Sequence, residues 1–223
     1  MRTSLGRIVP LLAALAAVLP ATAHGQAPTG GAPAPAAVPP PFAISGGGNA
    51  LLGRAVRFRG TVAKRLAGRV VVIESLDPAT GTWARQARTR VGRDGSFLAR
   101  WRARRLGQFL TRAVVARKAS SASLSPELPL TVFRPAVATW YGPGFHGNAT
   151  ACGLEMTPEL VGVAHRRLPC GTNVLVRYGT RTLVLPVVDR GPFANGADWD
   201  LTEAAAQQLG FTHTDRIGAV RVP

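Results

Sequence analysis

The run Val174-Leu175-Val176-Arg177-Tyr178-Gly179-Thr180-Arg181-Thr182-Leu183-Val184-Leu185-Pro186-Val187-Val188 places two apolar, β-branched segments around a Gly-Thr pair, which predicts a β-hairpin. Downstream, Leu201 to Leu209 reads as a short helix stopped by Gly210. Ile217-Gly218-Ala219-Val220-Arg221-Val222 reads as a closing strand. Several strands and one short helix between Pro135 and the end of the chain suit a small closed barrel.

Upstream, residues 51–134 repeat a different pattern. Val56 to Val62 alternates apolar and polar, and Arg69 to Glu74 is β-branched. Asp77 to Thr82 forms a turn leading to Trp83, and Gly92-Arg93-Asp94-Gly95 is a hairpin cue between Arg88–Val91 and Ser96–Trp101. Phe109 to Ala116 supplies a further strand. Regular short strands without a long helix predict a small β-sandwich, similar in pattern to bacterial Ig-like modules. The expected fold is therefore all-β: a sandwich over 51–134, then a six-stranded barrel with one short helix over 135–223.

The beginning of the chain carries no core. Met1 to Arg7 is positively charged, Ile8 to Leu19 is apolar, and Ala21-Thr22-Ala23 is a small-residue tripeptide, which predicts a secretory signal peptide over 1–23. Residues 24–50 are rich in Ala, Pro and Gly and read as a linker or wall-spanning spacer. No later segment is apolar and long enough for a transmembrane helix. The expected location is secreted or cell envelope, outside the cytoplasm. In an exported chain the two cysteines, Cys152 and Cys170, favour a disulfide over two free buried thiols. Two cysteines without clustered histidines do not complete a zinc site, so no metal and no organic cofactor are expected.

Net charge is +16, from 27 Lys plus Arg against 11 Asp plus Glu. Residues 46–134 hold 18 basic and 4 acidic side chains, whereas residues 135–223 hold 7 of each. The excess belongs to the sandwich, where the arginines alternate with apolar residues and so belong on its outer faces. That surface is either simply solvated or adheres to an anionic wall polymer. Export and the lack of a nucleic-acid motif argue against nucleic acid.

Four motifs run in order through residues 135–223: Ala138-Thr139-Trp140-Tyr141-Gly142-Pro143-Gly144-Phe145-His146-Gly147 with Thr150-Ala151-Cys152-Gly153; Gly162-Val163-Ala164-His165-Arg166-Arg167-Leu168-Pro169-Cys170-Gly171-Thr172; Val187-Val188-Asp189-Arg190-Gly191-Pro192-Phe193; and Asp198-Trp199-Asp200-Leu201-Thr202. Together they resemble the RlpA-like (rare lipoprotein A-like) double-psi β-barrel family, relatives of expansins. The resemblance implies a groove for peptidoglycan or another cell-wall glycan, and cysteines placed as Cys152 and Cys170 are. It also implies groove roles for Asp200, Asp189 and Thr139. Active members carry a glutamate where this chain has Leu154, and Glu155 follows one residue later, on the opposite face of an extended segment.

Cleaving a glycosidic bond needs a proton donor, and a lytic transglycosylase can use one acid because the sugar's own hydroxyl attacks. Without the glutamate, the expected function is binding or loosening of a wall glycan without efficient cleavage. One alternative is a septal-type lytic transglycosylase using Asp200 or a redirected Glu155; another is a structural or protein-interaction barrel. The candidate catalytic residues are Asp200, Asp189 and His165, with Glu155 less well placed. Thr139, Trp140, Tyr141 and Arg190 are candidate glycan contacts. Each has a structural counter-reading. Asp200-Leu201-Thr202-Glu203 has capping-box spacing, Asp189 precedes a Gly-Pro turn, and a lone His165 suits a packing role. The aromatics suit core packing as well as sugar stacking. Arg190 is expected to pair with Asp189 or Asp200 and lower its pKa, favouring binding over acid catalysis.

Overall fold

The computed structural model describes residues 42–78, 80–115, 124–193 and 196–223. The expected signal peptide and the spacer as far as residue 41 lie outside the described residues. The spacer expected over 24–50 ends earlier than the composition suggests, because Phe42 already begins a strand.

Among the described residues there are thirteen strands and one α-helix: β1 (Phe42–Gly46), β2 (Gly48–Leu51), β3 (Ala55–Val62), β4 (Val70–Leu76), β5 (Trp83–Arg90), β6 (Ser96–Arg102), β7 (Gly107–Val115), β8 (Leu128–Tyr141), β9 (Val163–Ala164), β10 (Asn173–Tyr178), β11 (Arg181–Asp189), β12 (Trp199–Thr202), α1 (Glu203–Leu209) and β13 (Asp215–Arg221).

One antiparallel sheet runs β1-β3-β6; a second runs β5-β4-β7-β8, with β2 added in parallel to the first half of β8. Alternation along β3 and β6 buries Val56, Phe58, Phe97, Ala99 and Trp101 and sends the intervening residues outward. Val71, Ile73, Phe109, Leu130 and Val132 belong to the same buried cluster, so the two sheets form a sandwich. Phe58 stacks on Trp101 at 6.4 Å between ring centroids, and Trp101 meets Phe109 edge-on at 6.2 Å.

The Gly46-Gly47-Gly48 run is the corner that carries the chain from one sheet to the other, between β1 and β2. Gly46 has φ +121°, and a Cβ there would lie 2.3 Å from the Arg57 carbonyl oxygen. Gly46→Ala is therefore expected to cost about 2 kcal/mol, within the range for a strained backbone position, read as a lower thermal midpoint. The Gly92–Gly95 turn also differs from expectation. It closes no hairpin: β5 pairs with β4 while β6 pairs with β3, so the turn crosses between sheets.

β8 is shared. Its first half lies in the sandwich and its second half opens the barrel, so Pro135, the expected start of a new unit, sits mid-strand opposite Gly218. The barrel closes on itself in the order β8-β12-β9-β11-β10-β13-β8. Six strands with parallel β12–β8 and β9–β11 pairs and the predicted β10–β11 hairpin enclose a second core that includes Val163, Val174, Val176, Leu185, Leu201 and Ile217. The helix is shorter than expected. Leu201 and Thr202 pair with Trp140 and Tyr141 as strand, and α1 starts at Glu203 and ends at Gly210 with φ +69°.

Candidate functional site

Parallel pairing of β12 with β8 sets Asp200 beside Thr139. On the other side β9 separates β12 from β11, and both Asp200 and Asp189 take Ala164 as register partner. Two carboxylates from distant parts of the chain thus flank one small residue. They line an open concavity of about 520 Å³ with Thr139, Trp140, Tyr141 and Arg190.

The two carboxylates have different surroundings. Thr139 Oγ1 donates to Asp200 Oδ1 at 2.7 Å. Burial pushes the Asp200 carboxyl above its ordinary range; the Thr139 bond opposes this and the nearby Asp189 charge adds to it. Asp189 instead collects donors: Ala151 N–H at 2.8 Å and Arg190 N–H at 2.7 Å on Oδ1, and the Tyr141 hydroxyl at 3.4 Å on Oδ2. The Tyr141 hydroxyl is itself driven upward, first by burial and then by the Asp189 and Asp200 charges, so it remains a donor.

The capping counter-reading of Asp200 and the expected pairing of Arg190 are both overturned here. Asp200 is not the helix cap: Thr202 occupies that position and its Oγ1 accepts from Ala205 N–H, leaving Asp200 in strand β12 and facing the groove. Arg190 makes no ion pair with either carboxylate among the described residues. Its guanidinium donates to the backbone oxygens of His165 and Asp189 and contacts Cys170 Sγ at 3.3 Å. Nothing from Arg190 therefore offsets the upward shift of Asp200.

His165, a candidate catalytic residue, instead takes the packing role weighed against that reading. Its Nδ1 accepts from Arg167 and Leu168 N–H at 3.1 and 3.0 Å, and its ring packs 4.4 Å from that of Trp199, which is buried in the barrel core. Burial first, and Arg166 next, hold the imidazole below the usual histidine range. The ring organises its own turn and is absent from the groove lining.

Glu155 and Leu154 lie outside the lining as well. Both are exposed, Leu154 at 45%, on a loop where Glu155 bridges to Ala149. That loop is tied down by the Cys152–Cys170 disulfide, as expected.

The aromatics divide as stacking requires. Trp140 is 37% exposed at the rim and donates from Nε1 to Thr212 O at 3.3 Å, while Tyr141 is half-buried. Sequence reasoning missed Phe145 and Phe193, which also line the groove and are 53% and 82% exposed. Phe145 meets Tyr141 edge-on at 5.8 Å. Their signal was present in the quoted motifs: an aromatic beside Gly-Pro in a loop has no strand face to bury against. The described residues hold no cluster of three or more metal-ligating side chains.

Comparison with known proteins agrees with this geometry. The family described as lytic transglycolase matches residues 135–223. A Synechocystis protein named probable endolytic peptidoglycan transglycosylase RlpA is 44% identical over 87 residues, which is 38% of this chain and 26% of that protein. The protein of that name from Aquifex aeolicus is 44% identical over 76 residues, covering 33% of this chain and 34% of its own length. The endolytic peptidoglycan transglycosylase RlpA of Campylobacter jejuni is 40% identical over 75 residues, or 33% and 27% of the two chains. The matches thus span about a third or less of each of these relatives and fall short of the whole proteins. Closed six-stranded topology, ordered motifs and these matches together make residues 135–223 a double-psi β-barrel similar to the RlpA-like family.

Proposed function

We propose that the barrel groove binds strands of peptidoglycan or a closely related wall glycan outside the cytoplasm, and loosens rather than efficiently cleaves them. The observation that carries this reading is the convergence of Asp189, Asp200 and Thr139 on one open trench edged by Trp140, Phe145 and Phe193. Carboxylate and hydroxyl groups hold sugar hydroxyls, and exposed aromatic faces stack on sugar rings. The peptidoglycan named for the relatives supplies the substrate class. Among the described residues no helix is long and apolar enough to cross a membrane. In this reading the arginine-rich sandwich holds the protein on the wall through its anionic polymers.

Leu154, in place of the family's glutamate, and the outward Glu155 support the non-cleaving form. A second reading, slow lytic transglycosylation, is favoured by one observation: Asp200 is half-buried, its pKa is raised, and no cation pairs with it among the described residues. That is the condition for a carboxylic acid to deliver a proton to a leaving oxygen. Digestion of purified sacculi separates the two. Retention on sacculi with no soluble anhydro-muropeptides is expected. Their release establishes the second reading, and no retention at all ends both.

A further inference from the structure

Alternation places a second candidate surface on the outside of the β1-β3-β6 sheet, away from the groove. Along β3 the outward residues are Ala55, Arg57, Arg59 and Thr61; along β6 they are Arg102, Arg100, Leu98 and Ser96. The register sets Arg57 directly opposite Arg100, Arg59 opposite Leu98, and Ala55 opposite Arg102. Like charges placed directly across a strand pair destabilise it. Yet Arg57, Arg59, Arg100 and Arg102 make no side-chain hydrogen bond or ion pair among the described residues. On the other sheet Arg85 and Arg88 are likewise without a side-chain hydrogen bond or ion pair among the described residues, but two further arginines are engaged. Arg112 pairs with Glu74 at 3.1 Å and lies 3.8 Å over the Trp83 ring, and Arg90 donates to Gly68 O.

Beside the four arginines the sheet is hollowed. Ala43, Ser45, Thr61 and Ser96 present only short side chains on that face, and a trough of about 540 Å³ opens among them beside Gly60, edged also by Arg59 and Leu98. Leu98 is 41% exposed. Asp94 stands just beyond, its carboxylate occupied by Ser96 N–H and Oγ–H at 3.0 and 2.8 Å. The face thus joins a cationic end to a hydroxyl-lined, partly apolar hollow. From Ala55 to Thr61 it extends about 20 Å along the strand.

We propose that this face is a binding site for a linear anionic saccharide or polyol polymer, its phosphate or carboxylate groups on Arg57, Arg59, Arg100 and Arg102 and its neutral portion in the trough at Gly60. The site sharpens the wall-retention part of the proposed function and rests on that reading for its polymer class. Arginine suits such groups because its planar fork pairs two oxygens of one phosphate or carboxylate. The hollow with its three hydroxyls and exposed leucine suits a sugar or polyol between charges, which a uniformly charged duplex would leave unused.

The test measures binding of the exported chain to a poly(polyol phosphate), to polyglucuronate, to duplex DNA and to an uncharged N-acetylglucosamine oligomer across a salt series. Binding to at least one anionic polymer, weakening as salt rises, is expected. Arg57→Ser/Arg100→Ser is expected to lower that affinity at least 10-fold with unchanged or raised thermal midpoint. Arg85→Ser/Arg88→Ser on β5 is expected to change it less than twofold. A preference for the phosphate polymer or for polyglucuronate identifies which anionic group is recognised, and either supports the site. Unchanged binding in the Arg57/Arg100 variant, or an equal loss in the β5 variant, overturns it. DNA bound at least as tightly as either polymer, with the same arginine dependence, overturns it in favour of nucleic acid. The uncharged oligomer reports only on the groove. Its failure to bind refutes the groove reading without touching this one, and its loss in the Arg57/Arg100 variant refutes their separation.

Discussion

Replacing Cys152 and Cys170 together by serine is expected to destabilise the protein by about 3 kcal/mol, the chain-entropy value for a loop of this length. The two cysteines are 18 residues apart and joined in the structure. For a protein of this size each kcal/mol moves the thermal midpoint by about 2–4 °C, so a fall of about 6–12 °C is expected. The same fall is expected when the parent protein is reduced, and none when the double variant is treated with reductant. The effect reaches the groove because Ala151, next to Cys152, supplies an N–H to Asp189 Oδ1. At the other end Gly171 N–H bonds Val187 O, which fixes Cys170 to strand β11. Freeing the loop removes a donor from Asp189, so glycan retention is expected to drop at temperatures where the double variant is still folded. An unchanged midpoint after reduction would show that local hydrogen bonds hold the loop without the cross-link.

Much of this architecture was legible in the residues. The β10–β11 hairpin appeared where two β-branched runs met at Gly179, because both segments face a core on one side. The outward arginines of the sandwich followed from period two. What failed was local reading where a tertiary partner decides. Asp200-Leu201-Thr202-Glu203 fits a capping box by spacing, yet parallel pairing with Thr139 to Tyr141 keeps Asp200 to Thr202 extended and moves the cap to Thr202. Gly46 to Gly48 resembles a flexible tether, but the sheet-to-sheet corner needs left-handed backbone and close approach to Arg57. His165 and Arg190 looked chemical because of their residue types; backbone groups claim both, the N–H groups of Arg167 and Leu168 for His165 and the carbonyls of His165 and Asp189 for Arg190. Phe145 and Phe193 come from loops, whose direction no periodicity encodes.

Asp200→Asn is expected to stabilise the protein at neutral pH while weakening glycan retention roughly 10- to 100-fold, the equivalent of one hydrogen bond to a charged group. The sign follows from burial. The folded pKa of Asp200 lies above the ordinary aspartate value of 3.8, so the native state binds more protons than the unfolded chain between those two values. Stability attributable to this group therefore falls as pH rises from the unfolded pKa through the folded one, and stays lost above it. The substitution removes the ionisation, while the introduced amide oxygen still accepts from Thr139 Oγ1. The midpoint difference between variant and parent should thus be largest near neutral pH and shrink as pH falls toward the ordinary aspartate value. If the protein also cleaves, release of anhydro-muropeptides should decline as pH rises through the raised pKa and vanish in the variant. A pH-independent midpoint difference would mean that Asp200 is not held in a desolvated pocket. Stability and binding that fall together would make it a structural residue of β12, whereas opposite changes mark a carboxylate kept in the trench at the expense of the fold.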